Sequence, residues 1–188
     1  TIQDSFGLYL EGTDIKAKNI WFTGFSSDDN EKVNTQLLDG IHLDNTNVVA
    51  KGFIDAFGQT GTSQNMTNSA GFYAFGSTLK AGSMWLLGKP GAYSQIDGRN
   101  SNQSGLTASD RESKIAGQSS GKNVGLWLKE STLKTSRGDL YLTGVGGDGK
   151  TKLHGIWLDK TTVNAKNGSL DILGESGSGG RRMYGVFA

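Results

Sequence analysis

The sequence predicts an all-β fold, a right-handed parallel β-helix (β-solenoid) of about five to six coils, with ~30 residues and three short strands per coil. Three observations lead there. A phrase of Gly, an apolar residue, an aromatic or His, and another apolar residue occurs six times. The copies are Gly7-Leu8-Tyr9-Leu10, Gly40-Ile41-His42-Leu43, Gly71-Phe72-Tyr73-Ala74, Gly125-Leu126-Trp127-Leu128, Gly155-Ile156-Trp157-Leu158 and Gly185-Val186-Phe187-Ala188. Their glycines lie 33, 31, 54, 30 and 30 residues apart, and such fixed-period self-similarity marks a repeat architecture. The third observation is compositional. With 29 Gly, one Pro and 35% hydrophobic residues the chain is too lean for a thick globular core. Its four Trp and eight Phe nevertheless argue against a disordered chain.

Each repeat divides into three strands. The Gly phrase is the first, with its aliphatic residues alternating against the aromatic between them. Eight and ten residues after each Gly come Ile15/Ala17, Val48/Ala50, Leu79/Ala81, Leu133/Thr135 and Val163/Ala165, the inward pairs of the second strand. The third ends on another Gly: Ile20 to Gly24, Ile54 to Gly58, Met84 to Gly88, Leu140 to Gly144 and Leu170 to Gly174. No segment has a 3.6-residue period, and the tight polar turns leave no room for crossover helices. Successive coils therefore pair strand on strand, in parallel, about 4.8 Å apart.

Two further columns follow from this register. Six residues after each Gly stands a hydroxyl (Thr13, Thr46, Ser77, Ser131, Thr161), expected to bond backbone groups at a corner. The Gly column is expected where φ is positive or where backbone segments approach closely.

A formal net charge of +1 provides no global field to recruit nucleic acid or a membrane surface. No apolar run approaches the roughly 20 residues of a spanning helix, so membrane insertion is not expected. Cysteine is absent, which excludes disulfides and thiolate metal sites. Thr1 starts almost on a repeat and Ala188 stops inside one, so residues 1–188 read as a single β-helix segment of a longer protein.

Length variation falls at one corner. From the Gly ending strand three to the next phrase the spacings are 16, 13, 37, 11 and 11. The third, an extended loop over 89–124, holds the only proline, Pro90, together with Tyr93, Arg99, Asn100, Arg111 and Lys114. Equivalent insertions in a solenoid project from one face, often the binding face. A tolerated surface insertion is the plainer reading. The middle residues of strand one form an outward aromatic column: Tyr9, His42, Tyr73, Trp127, Trp157 and Phe187. Trp21, Trp85 and Tyr141 form another in strand three, interrupted by Asp55 and Asp171. Such rings stack on one another, pack under loops, or offer flat faces to sugars. The candidate ligand-binding set is Tyr93, Arg99, Asn100, Arg111 and Lys114, with Trp127 and Trp157 on successive coils beside them.

Other chemistry is sparse. His42 and His154 lack a metal or triad motif, and Asp28, Asp29 and Glu31 lack the ordered pattern of a calcium loop, so neither a metal nor a cofactor is expected. Arg181-Arg182 can grip an anion or simply be solvated. Glycosylation acceptor triplets begin at Asn65, Asn102 and Asn167.

The coil Gly155-Ile156-Trp157-Leu158…Thr162-Val163-Asn164-Ala165…Gly168-Ser169-Leu170-Asp171-Ile172…Gly174 resembles the β-helical repeats of large bacterial exoproteins. The nearest group is the filamentous-haemagglutinin type, including the high-molecular-weight adhesins exported by two-partner secretion. The resemblance spans nearly all the chain outside the long loop. It implies a virulence-associated adhesin, secreted or held at the bacterial cell surface with an outer-membrane secretion partner. Some members attach to host glycans, and some are glycosylated at triplets like these.

The expected function is therefore a non-catalytic surface adhesin segment mediating attachment to host cells, through a receptor expected to be carbohydrate. One alternative is a structural stalk or spacer of a large exoprotein. Another is a polysaccharide-degrading β-helix enzyme, which needs carboxylates converging along one strand face. The outward columns of strand two are Asp14, Asn47, Thr78, Thr132, Thr162 and Lys16, Val49, Lys80, Lys134, Asn164. Acids do not line up in either, so the chain is not expected to be an enzyme.

Overall fold

A strand of four to eight residues buries too little surface to stand alone, and this chain solves the problem by stacking equivalent strands of successive coils. The computed structural model describes residues 2–26, 34–61, 68–89, 122–147, 151–177 and 181–188. The first coil is β1 (Ile2–Glu11), β2 (Asp14–Ala17) and β3 (Ile20–Phe25). The second is β4 (Asn34–Asp44), β5 (Asn47–Ala50) and β6 (Phe53–Gln59). The third is β7 (Asn68–Phe75), β8 (Thr78–Ala81) and β9 (Ser83–Lys89). The fourth is β10 (Lys122–Lys129), β11 (Thr132–Thr135) and β12 (Leu140–Val145). The fifth is β13 (Ile156–Asp159), β14 (Thr162–Ala165) and β15 (Leu170–Glu175), and β16 (Val186–Phe187) opens another.

The three strands of each coil belong to three parallel sheets. The first runs β1-β4-β7-β10-β13-β16, the second β2-β5-β8-β11-β14, the third β3-β6-β9-β12-β15. The molecule is thus a right-handed parallel β-solenoid with a repeat of about 31 residues and three strands per turn. Every repeat pairs in the register read from the sequence: Val48 opposite Leu79, Leu133 opposite Val163, Gly58 opposite Gly88. One boundary differs. In the first four coils strand one begins several residues before its Gly, because the chain continues to pair with the neighbouring coil there.

A narrow core fills the space between the sheets. Ile41, Leu43, Val48, Ile54, Phe72, Leu79, Leu126, Leu128 and Leu133 are wholly buried in it. Each such side chain stabilises the fold by about 1.5–3 kcal/mol relative to exposure. Thr135 takes an alanine's place in this column and satisfies its hydroxyl by donating to the Gly138 carbonyl at 2.8 Å.

Both expectations for the first Gly column can now be separated. These glycines do not have positive φ. They lie where the first strand crosses the third: a Cβ on Gly125 would run into the Val145 backbone nitrogen, and one on Gly144 into the Gly155 carbonyl oxygen. Positive φ occurs five residues later, at the corner into the second strand, in Gly12 (57°), Asn45 (46°), Gly76 (57°), Glu130 (50°) and Lys160 (50°). The hydroxyl column comes next and closes the corner as expected. Ser131 Oγ donates to Lys129 O at 2.8 Å and accepts from Ser77 N at 3.2 Å, while Ser77 Oγ accepts from Thr46 N at 3.1 Å.

Two outcomes test this account. Gly125→Ala should cost at least about 3 kcal/mol, since only backbone can give way, whereas Gly12→Asn should change stability by no more than about 1 kcal/mol because Asn45 already holds the equivalent corner. Ser131→Ala should cost about 1–3 kcal/mol by leaving the buried Ser77 N–H without its acceptor. Denaturant unfolding followed by circular dichroism measures each.

Candidate functional site

Parallel register turns a repeated residue into a file along the solenoid. Tyr9, His42, Tyr73, Trp127, Trp157 and Phe187 are successive partners in the first sheet. Their ring centroids are 5.2, 4.7, 5.1, 4.6 and 6.1 Å apart. Trp127 and Trp157 are stacked at an interplanar angle of 2°. The file faces away from the core, yet its middle is covered: His42 and Trp157 are each only 8% exposed, while Tyr9 and Phe187 remain open.

Part of the cover comes from residues that precede a repeat Gly: Phe6, Asp39 and His154. Strand alternation is interrupted at the glycine, which puts each of them and the aromatic three positions later on one side. Phe6 packs against Tyr9 and His42 at 5.0 and 4.9 Å. Asp39 accepts from or shares the proton of His42 Nδ1 at 2.7 Å and accepts from Ala70 N at 2.8 Å. Burial raises the Asp39 pKa, against the opposing pull of His42. Burial and then the Asp39 charge push Tyr73 up to about 12. The sequence offered no carboxylate partner for His42; three-residue spacing across a glycine supplies one.

At Trp127 and Trp157 the cover is cationic. Lys122 Nζ lies 4.8 Å from the Trp127 ring and 5.3 Å from that of Trp157, and Lys152 Nζ lies 4.5 Å from Trp157. Burial lowers the Lys122 pKa, and repulsion from Lys152 and Lys129 lowers it further. Next to these lysines is a cleft of about 280 Å³ lined by Lys152, His154, Trp157, Arg182, Tyr184 and Phe187. His154 stacks on Tyr184 at 5.3 Å and on Phe187 at 5.2 Å. Lys152 and Arg182 occupy equivalent places on successive coils, joined by Lys152 N donating to Arg181 O, and both have left-handed backbone, φ 53° and 61°. That conformation costs a side-chain-bearing residue roughly 1–2 kcal/mol. Among the described residues, Trp127 Nε1 and His154 Nδ1 are buried with no hydrogen-bond partner.

The arrangement suits an anionic ligand with an apolar face. Tyr184 and Phe187 are 47% and 41% exposed and present ring surface, whereas the indole faces are occupied by each other and by ammonium groups. Lys152 and Arg182 supply charge for a carboxylate, with guanidinium geometry favouring two-point contact. Among the described residues no group of three His, Cys, Asp or Glu is placed to hold a metal ion.

Of the sequence-derived candidates, the structure brings together Trp127 and Trp157. Tyr93, Arg99, Asn100, Arg111 and Lys114, and the acceptors Asn65 and Asn102, lie outside the described residues. Asn167 is exposed and its Nδ2 donates to Ser136 O at 2.9 Å. In the third sheet the gap at Asp55 is bridged by Phe53, which contacts Trp21 at 4.8 Å and Trp85 at 6.2 Å. Lys122, Lys152, His154 and Tyr184 did not emerge from the sequence as site residues. For His154 and Tyr184 a signal was present, the position just before a repeat Gly; for the lysines there was none, since a lysine reads as a solvated residue.

The His154 pKa is lowered, first by burial and then by Lys152, so the folded chain binds this proton less readily than the unfolded chain. Its contribution to stability is intact above the ordinary His value of about 6.5 and is lost as pH falls below that value and through the depressed folded one. The thermal midpoint should therefore be lower at about pH 5 than at about pH 7.5, and His154→Phe, which keeps a ring in the stack, should reduce the difference.

Comparison with protein-family models, with curated proteins and with solved structures gives no match. The chain is a parallel β-solenoid scaffold consistent in fold with the haemagglutinin-like adhesin repeats, a form compatible with adhesive, structural or enzymatic roles.

Proposed function

We propose that this chain is a non-catalytic segment of a bacterial surface adhesin that attaches to host cells through carbohydrate. The observation that carries the reading is the aromatic and cationic cleft, where Tyr184 and Phe187 present ring surface beside Lys152 and Arg182. Sugar rings carry an apolar C–H face that packs on aromatic carbon, and a sugar acid adds a carboxylate for two cations that form no ion pair among the described residues. Tyr93, Arg99, Asn100, Arg111 and Lys114 of the long loop contribute further polar contacts in this reading. The rod itself holds the site clear of the surface that bears it, which joins the binding and spacer roles.

Catalysis is not part of the proposal. On the outer face of the third sheet Asp55 and Asp171 are separated in register by Trp85 and Tyr141, and on the second sheet Asp14 is the sole acid of its column. Paired acid and base groups across one bond are not assembled from carboxylates so separated.

A glycan array containing matched sialylated, uronic-acid and neutral glycans tests the function. Binding to acidic glycans is expected, and Lys152→Glu with Arg182→Glu should weaken it at least about tenfold while the thermal midpoint stays within a few degrees. A chain lacking the long loop measures that segment's share. Unchanged binding by the charge-reversed cleft would remove the cleft from the site.

A further inference from the structure

The outward side of the second sheet carries a charge pattern that the aromatic cleft leaves unused. Register places Lys16, Val49, Lys80, Lys134 and Asn164 in one file across five coils. A second group of cations follows at the turn leaving the sheet: Lys18, Lys51, Arg137 and Lys166. The turn is itself in register, with Lys51 N donating to Ala17 O, Ser136 N to Ala81 O and Lys166 N to Thr135 O. All these lysines and Arg137 are exposed. A shallow groove of about 600 Å³ runs between the two groups, lined by Lys51, Lys80, Lys134, Arg137 and Lys166 among others.

Among the described residues no carboxylate forms an ion pair with these cations. Asp14, at the first-coil end, is the only carboxylate in the outward files, and it accepts a hydrogen bond from Asn47 Nδ2 at 2.8 Å. Asp139, just beyond the turn, is engaged by the Tyr141 hydroxyl at 3.0 Å and the Ser169 amide at 2.7 Å. The chain as a whole has a net charge of only +1, so its charge is segregated rather than merely basic.

We propose that this face binds a linear acidic polysaccharide lying along the solenoid axis. The surface is on a different sheet from the aromatic cleft, and the inference stands independently of the function assigned to that cleft. Three features select the partner. Cations recur at multiples of the coil rise, about 4.8 Å, and so meet a polymer whose charges also recur at short intervals. Beside them runs a second file, Asn47, Thr78, Thr132 and Thr162, whose amide and hydroxyl groups can bond sugar hydroxyls. The files contain no aromatic residue for nucleic-acid bases to stack on and, apart from Val49, no apolar side chain to enter a bilayer. The paired strands also fix the spacing of the backbone positions that bear these cations before the ligand arrives, so the ordering cost of binding is confined to their side chains.

The experiment is titration of the intact chain with heparin and with polygalacturonate at several salt concentrations. Neutral dextran, a thymidine homopolymer and phosphatidylserine vesicles serve as comparisons. At least one acidic polysaccharide should bind, more weakly as salt rises, and dextran should not. Lys80→Glu with Lys134→Glu should lower that affinity at least about tenfold without changing the thermal midpoint. Lys51→Gln with Lys166→Gln, on exposed turn positions, should lower it in the same direction and covers the case of a misfolded first variant. In a chain already carrying Lys152→Glu and Arg182→Glu, the second-sheet substitutions should still lower polysaccharide affinity by the same factor, which separates this face from the cleft. The proposal is overturned if neither polysaccharide binds, if both pairs of second-sheet substitutions leave affinity intact, or if the homopolymer or the vesicles bind as tightly as the polysaccharides.

Discussion

In each coil the first strand crosses the third at a pair of glycines, and this contact of backbone on backbone sets the geometry of the rest. Gly40 sits against the Gln59 backbone, Gly71 against Lys89, Gly125 against Val145 and Gly155 against Glu175. No side chain fits between them. The crossing closes the space between the three sheets and leaves room for only one or two inward residues from each strand, which is why 35% hydrophobic residues are enough. It also interrupts the alternation of the first strand. Residues before the glycine are thereby turned onto the aromatic file, and the same constraint that closes the core builds the covered ladder outside it.

Stacking in register then copies each local choice along the molecule. A hydroxyl at one corner can bond the next coil only because the next coil presents its own backbone at the same height. Aromatic rings stack because their strands are held one coil rise apart. Lysines accumulate on one face for the same reason, and here the copying is unfavourable unless something anionic joins it. Burial follows the stack as well. Leu133, with coils on both sides, is wholly buried, while its fifth-coil partner Val163 is half-buried. Stability in such an array is the sum of contacts between neighbouring coils, so a substitution in an inner coil is felt by two interfaces.

Most of the fold was legible in the sequence because its signals are local and repeated. Period-two alternation, the two glycine columns and the hydroxyl column could each be checked five times, and agreement among repeats compensates for the weakness of any one. The extra length of the first strands is not written in local pattern, because residues such as Asn34-Thr35 and Asn68-Ser69 have no apolar alternation; they are strands because a neighbouring coil offers hydrogen-bonding partners. The left-handed corner was equally hidden, since Gly12, Asn45, Gly76, Glu130 and Lys160 share a conformation and no chemistry.

The functional surfaces divide in the same way. By itself the sequence determined the coil register, and with it which residues share a file: the aromatics of the first sheet, the lysines and threonines of the second. Register is a property of spacing, and spacing is written in the chain. Only the tertiary structure decided what those files are like to a ligand. It covered Trp157 and left Tyr184 and Phe187 open, joined Asp39 to His42, and laid Lys122 and Lys152 over indoles. Exposure and charge balance depend on what lies across a turn or on the next coil, and no spacing along the chain encodes that distance.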